Sequence, residues 1–211
     1  MIRILIADDH AILRRGLEGI LLQQLEGAVC GEAENGEQLL ELVRREEWDL
    51  VILDVRMPGR SGLDVLEDLK KLRPKLPVLV LSMLPEDVLG KRALKAGASG
   101  YLNKESAPGQ LIGAVRKILA GGLYISPPLA DRLALDSRPG APGRPLHETL
   151  SNREFEILRL IALGKTVSQI AAELRLSVPT VSTHRAHILE KMYMTTTAEV
   201  IRYAVRNRIV D

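Results

Sequence analysis

Up to about residue 122 the chain alternates two arrangements of apolar residues. Short, nearly unbroken runs rich in Val, Ile and Leu occupy 2–7, 28–33, 50–53, 78–81 and 100–102. Between them, 11–25, 36–47, 63–72, 86–96 and 108–120 repeat apolar residues at intervals of three and four, the period of a helix that buries one face. The pattern predicts five strand–helix units. Strands without polar alternation belong to a parallel sheet covered by helices on both sides. The expected fold is therefore α/β with a doubly wound parallel sheet, and ligands should sit outside the carboxyl ends of its strands.

Beyond this region the pattern changes. Ser126-Pro127-Pro128 and Pro139-Gly140-Ala141-Pro142-Gly143-Arg144-Pro145 predict a linker over 126–148 that neither carries a helix nor packs a core. From Leu150 onward only helical periodicity remains, with starts marked by the capping-box pairs Ser151/Glu154 and Thr166/Gln169. Four short helices fit, over roughly 151–163, 167–174, 178–191 and 197–206. The expected organisation is an α/β domain over 1–125, a linker over 126–148 and an all-α domain over 149–211.

A chain of 211 residues, 46% hydrophobic and 27% charged, can bury two modest cores. No apolar run approaches the ~20 residues of a membrane span. The apolar start, Met1 to Ala7, is too short for a signal peptide and runs straight into Asp8-Asp9, so a cytoplasmic protein without membrane partners is expected. The single Cys30, beside Ala28-Val29 and Gly31, allows no internal disulfide or cysteine metal cluster and reads as an inert, buried strand residue. Charge is uneven. Residues 1–125 hold 17 Lys/Arg against 18 Asp/Glu, whereas 149–211 hold 9 against 6, which points to a polyanionic partner for the second domain.

Asp8 and Asp9 follow the first strand and Asp54 follows the third, so a parallel sheet brings the three carboxylates to one rim. Each alone reads equally well as a helix cap or a solvated acid. Together they repel unless a cation joins them, and all-oxygen ligation suits Mg²⁺. Ser82 after the fourth strand and Lys104 after the fifth add a hydroxyl and an ammonium to the same rim, and both complement a phosphoryl group.

This constellation, with Leu53-Asp54-Val55-Arg56-Met57-Pro58-Gly59, resembles the receiver domain of two-component response regulators over residues 1 to about 122. The resemblance implies a flavodoxin-like (βα)5 domain that binds Mg²⁺ through Asp8, Asp9 and Asp54. It makes Asp54 the acceptor of a phosphoryl group from a sensor histidine kinase, and Ser82 and Lys104 the hydroxyl and lysine of the pocket. It also implies that Ser82 moves inward on phosphorylation and that Tyr101, an aromatic on the fifth strand, rotates after it. Gly62 supplies permissive backbone after the acceptor loop. An aspartyl-phosphate hydrolase of the haloacid dehalogenase type, which resembles Asp-x-Asp, is disfavoured because Arg56 stands two residues after Asp54. Loss of a pocket residue would favour a constitutive, never phosphorylated binder, and none is lost.

The segment from Leu150-Ser151-Asn152-Arg153-Glu154 to Met192, with Leu163-Gly164, Ile170-Ala171, Leu176-Ser177, Thr180-Val181, Thr183-His184-Arg185 and Ile188-Leu189, resembles the LuxR/NarL (FixJ) DNA-binding domain. That family is an all-α four-helix, helix-turn-helix fold whose third helix enters the major groove. Its fourth helix often pairs two subunits, which implies a homodimer on double-stranded DNA. At ~100° per residue, Val181, Ile188 and Met192 form the buried stripe, with His184 and Arg185 beside it. Pro179, Ser182, Thr183, Ala186, His187 and Glu190 lie opposite and should face the groove. Ser182, Thr183 and His187 can hydrogen-bond there, Arg185 can reach phosphate, and Thr180 and Ala186 complete the expected contact set. Thr166 and the amides after it offer a further phosphate position at a helix start. Family members often carry Lys where this chain has Pro179 and Ser182, and that departure lowers the electrostatic part of its affinity.

Overall fold

In the computed structural model, which describes residues 1–57, 60–136 and 145–210, the five apolar runs become β1 (Ile2–Ala7), β2 (Ala28–Ala33), β3 (Leu50–Asp54), β4 (Val78–Ser82) and β5 (Gly100–Asn103). All pair in parallel, in the order β2-β1-β3-β4-β5. The helices between them are α1 (Ala11–Gln24), α2 (Gly36–Arg45), α3 (Gly62–Leu72), α4 (Glu86–Lys95) and α5 (Ala107–Leu119). Side chains alternate across a strand. Ile4, Ile6, Leu50, Ile52, Leu79, Leu81 and Leu102 accordingly share one buried cluster with Leu17 and Leu21 of α1 and Leu111, Val115 and Ile118 of α5. Helices α2, α3 and α4 cover the opposite face.

Pro58 and Gly59 of the acceptor loop and the linker residues 137–144 lie outside the described residues. The chain divides into two compact units, Met1–Arg138 and Pro139–Asp211. The expectation that no helix falls between 126 and 148 is overturned. Residues Pro127–Asp136 form a helix, α6, packed on α4, with Leu129 buried. Composition misled because Pro127 and Pro128 occupy the first turn, where a missing N–H costs nothing. Ser126 supplies the cap, its Oγ accepting from Leu129 N at 3.3 Å. Cys30, expected to be buried, is half-buried on β2, which is an edge strand of the sheet.

The second unit holds α7 (Asn152–Ala162), α8 (Val167–Leu174), α9 (Val178–Lys191) and α10 (Thr197–Arg206). Both expected capping boxes form, and Thr196/Glu199 makes a third at the start of α10. A short 3-10 turn at Leu146–Thr149, across the end of the expected linker, is held by His147, whose N and Nδ1 lie 3.3 and 3.0 Å from the Tyr203 hydroxyl. Glu154 does two things. Its Oε2 accepts from Ser151 N at 2.8 Å, and its two oxygens accept from Lys191 Nζ at 2.8 and 2.7 Å, fastening the start of α7 to the end of α9. Burial of Glu154 opposes ionisation, but the Lys191 and Ser151 bonds outweigh it and hold the carboxyl below its ordinary range.

Candidate functional site

Strand order reverses between β1 and β3, and ligands of doubly wound sheets bind outside such a point. Asp8 leaves the end of β1 here and Asp54 is the last residue of β3, both buried. One cation joins them: Lys104, in the turn after β5, places Nζ 2.6 Å from Asp8 Oδ2 and 2.6 Å from Asp54 Oδ2. The turn is fixed by Lys104 N donating to Ser82 O at 2.9 Å. Asp54 Oδ1 accepts from Arg56 N at 2.9 Å. Burial pushes the Asp54 carboxyl above its usual range while Lys104 and the Arg56 amide pull against it.

Asp9 is exposed at the rim. Carboxylate oxygens of Asp8, Asp9 and Asp54 and a ring nitrogen of His10 all lie within 4.8 Å of one another. The acidic cluster is thus compatible with a metal ion, and its oxygen donors fit a hard divalent cation. His10 was not anticipated. Its backbone N donates to Asp8 Oδ1 at 2.8 Å, and its Nδ1 lies 2.8 Å from Asp9 Oδ1. Arg14 was also not anticipated. It is buried, bonds Glu32 and Glu34 at 2.9 Å each, and donates to the Asp8 carbonyl at 2.7 Å, which fixes the turn that presents both aspartates. A signal was present, because Arg14 continues the apolar stripe of Leu17 and Leu21, an expensive place for a charge without partners.

Ser82 is fully buried at the end of β4, and its Oγ accepts from Leu84 N at 3.1 Å. Tyr101 already points inward, and its hydroxyl donates to Leu84 O at 2.7 Å. Asn103 donates from Nδ2 to the same carbonyl at 3.3 Å. The turn between β4 and α4 is therefore held by groups from the pocket strands. Gly62 does not adopt a positive φ. It is needed because a Cβ there would lie 2.3 Å from Val55 Cα, and its N donates to Val55 O at 3.2 Å, closing the acceptor loop.

In the second unit Val181, Ile188 and Met192 are buried, and Pro179, Ser182, Thr183, Ala186, His187 and Glu190 are exposed, as is Arg185. Thr180 is half-buried, its hydroxyl 2.7 Å from that of Ser177, which caps α9. Thr183 donates its hydroxyl to Pro179 O at 3.1 Å, leaving oxygen lone pairs outward. His187 Nδ1 lies 3.9 Å from Glu154 Oε1. His184 Nδ1 is buried without a hydrogen-bond partner among the described residues, and burial lowers the basicity of that ring. Thr166 is exposed, with Oγ1 accepting from Gln169 N at 3.3 Å at the start of α8.

The chain thus joins an acidic, lysine-bridged pocket on a five-stranded parallel sheet to a separate all-helical unit, the architecture of a two-domain regulator. Residues 4–116 match the family model described as the response regulator receiver domain, and residues 148–204 match that of the bacterial regulatory proteins of the luxR family. The chain belongs to the two-component response regulators of the NarL/FixJ type, DNA-binding regulators of transcription. It is 38% identical to the response regulator GacA of Pseudomonas aeruginosa, covering 100% of this chain and 99% of that one. It is 31% identical to the response regulator UvrY of Escherichia coli K12, covering 100% and 97%. Among solved structures, RcsB from Salmonella typhimurium matches with a TM-score of 0.72 at 26% identity, over 98% of both chains. RcsB bound to promoter rprA in the presence of phosphomimetic BeF3⁻ matches with 0.66 at 26%, over 96% and 98%. Among the described residues, no helix is long and apolar enough to cross a membrane.

Proposed function

We propose that this regulator is switched by phosphorylation of Asp54 from a sensor histidine kinase and binds double-stranded DNA as a homodimer in the cytoplasm. The observation that carries this reading is Lys104 bridging two buried carboxylates at the strand-order reversal, with the Ser82 hydroxyl on the adjoining strand. An Asp54 oxygen forms the new O–P bond as the donor's N–P bond breaks, and the imidazole leaves with the electron pair. Lys104 neutralises charge on the transferred group. Asp8, Asp9 and Asp54 would hold Mg²⁺, which when bound supplies further charge neutralisation at the phosphoryl oxygens. The chain assists its own modification and its hydrolysis but serves no substrate beyond these.

Ser82 then turns from Leu84 N toward the phosphoryl group. Tyr101, already inward, keeps the vacated space filled, so its part is to hold the shifted turn rather than to rotate into it. The paired form reads DNA through Pro179, Thr180, Ser182, Thr183, Arg185, Ala186 and His187, with Thr166 at a phosphate. The receiver part comprises residues 1–136, since α6 packs on α4, and the DNA-binding part begins near Leu146. Two weak half-site contacts become strong once the second is intramolecular.

The test is intact-protein mass after incubation with acetyl phosphate and Mg²⁺, for wild type and Asp54→Asn, with dimerisation and DNA retention followed in the same samples. One phosphoryl group on wild type alone, with dimerisation and DNA binding, is expected. No adduct from acetyl phosphate or from a phosphohistidine donor, or DNA binding indifferent to Asp54, would overturn the switch.

A further inference from the structure

The β4–α4 turn and α6 share partners. Leu84 N donates to Ser82 Oγ, and Leu84 O accepts from Tyr101 and Asn103, so the turn leading into α4 rests on three pocket residues. Glu86, the first residue of α4, accepts through Oε1 from Ser126 N at 3.0 Å, and Ser126 is the cap of α6. One turn later Gly90 provides a notch for Leu129. A Cβ at Gly90 would stand 2.8 Å from Leu129 Cδ2, and Leu129 is buried in this contact. Behind α6, Tyr124 bridges the open edge of β5. Its O accepts from Tyr101 N and its N donates to Ser99 O, each at 3.0 Å. Tyr101 is thus bonded by its hydroxyl to the turn before α4 and by its amide to the chain that enters α6.

We infer that α6 is a strap latched to α4, with the chain that enters it held on β5 at Tyr124, that it is released when the Ser82 hydroxyl leaves Leu84, and that its release lengthens the tether to the DNA-binding unit. The inference rests on the phosphoacceptor reading above. Losing the Ser82 contact leaves the turn at Leu84 held only through its carbonyl by Tyr101 and Asn103, so that it shifts, carrying Glu86 and Gly90 together and pulling the amide anchor and the notch away from α6. A ten-residue helix is too short to persist in water by itself, so undocking and unwinding are one event. Ten residues that span about 15 Å as helix reach up to about 35 Å extended. That added reach lets a paired receiver place two DNA-binding units on adjacent half-sites.

Hydrogen–deuterium exchange of the full chain tests this, comparing Mg²⁺ alone with Mg²⁺ plus beryllofluoride as the phosphoryl mimic. Peptides covering 126–136 should exchange at least tenfold faster with beryllofluoride, together with a change at 82–86 and no change in Asp54→Asn. Leu129→Ala and Gly90→Leu should exchange fast at 126–136 in both conditions while strands β1 and β3 stay protected. A response at 82–86 with unchanged exchange at 126–136 would overturn the strap and leave the phosphoacceptor reading intact. No response anywhere, or the same response in Asp54→Asn, would overturn both.

Discussion

Lys104 bridges two buried carboxylates, so Lys104→Met, which keeps the stem and removes the charge, isolates what that cation does. All three side chains are nearly inaccessible, at 8% exposure for Lys104 and 1% each for Asp8 and Asp54. Removing one partner from such a cluster leaves uncompensated buried charge and costs about 3–5 kcal/mol. For a unit of this size that lowers the unfolding midpoint by roughly 10–15 °C. The pH dependence has a defined sign. The Asp54 carboxyl already lies above its ordinary range through burial, and losing Lys104 moves it further up. A group raised on folding stabilises below its unfolded pKa and loses that contribution as pH rises through the folded value. The deficit of the variant should therefore be large at pH 8 and shrink toward pH 5. Mg²⁺ at a hundred times its dissociation constant should return about 2.7 kcal/mol. Trp48, the only tryptophan, bonds the Leu42 carbonyl beside β2 and reports this unit alone, so thermal unfolding followed by its fluorescence is the assay. A midpoint equal to wild type at pH 8 without Mg²⁺, or a deficit indifferent to both pH and Mg²⁺, would refute the electrostatic account.

Gly62→Ala should cost about 1–3 kcal/mol by the same fluorescence assay, because the added Cβ meets the Val55 backbone, which cannot rotate away. The DNA-binding unit should lose stability on acidification, first below the ordinary histidine pKa through His184 and then in the carboxylate range through Glu154. Both are lowered on folding, so the unfolded chain binds more protons there. Circular dichroism melts between pH 7 and 4 check this, and Glu154→Gln should remove the lower part of the dependence. The Cys30 thiol, pushed up to about 11 by burial and by Glu18 and Glu32, should alkylate slowly at pH 8 in folded protein and quickly in denaturant. Arg185→Gln should weaken DNA binding uniformly across sequences and reduce the salt slope by about 1, whereas Ser182→Ala should alter preference among sites, both read by titration at several salt concentrations.

Much of this molecule follows from the linear pattern. Unbroken Val/Ile/Leu runs separated by amphipathic stretches dictate a covered parallel sheet, and carboxylates at strand ends converge whatever the loop details. The helix starts at Ser151 and Thr166 are equally local, since each cap and its partner lie three residues apart. The Thr196/Glu199 box is equally local. Other features depend on residues that meet only after folding. Composition at Ser126-Pro127-Pro128 spells a linker, and α6 exists because Leu129 finds the space that Gly90 leaves on a helix nearly forty positions earlier. Arg14 is affordable on a buried face only because β2 brings Glu32 and Glu34 to it. Gly62 reads as a flexible residue, yet the tertiary structure demands it for a close approach to Val55 and not for an unusual φ. Periodicity and capping act over a few residues and are written in the chain; the complementarity of surfaces far apart in sequence arises only when the sheet has assembled them.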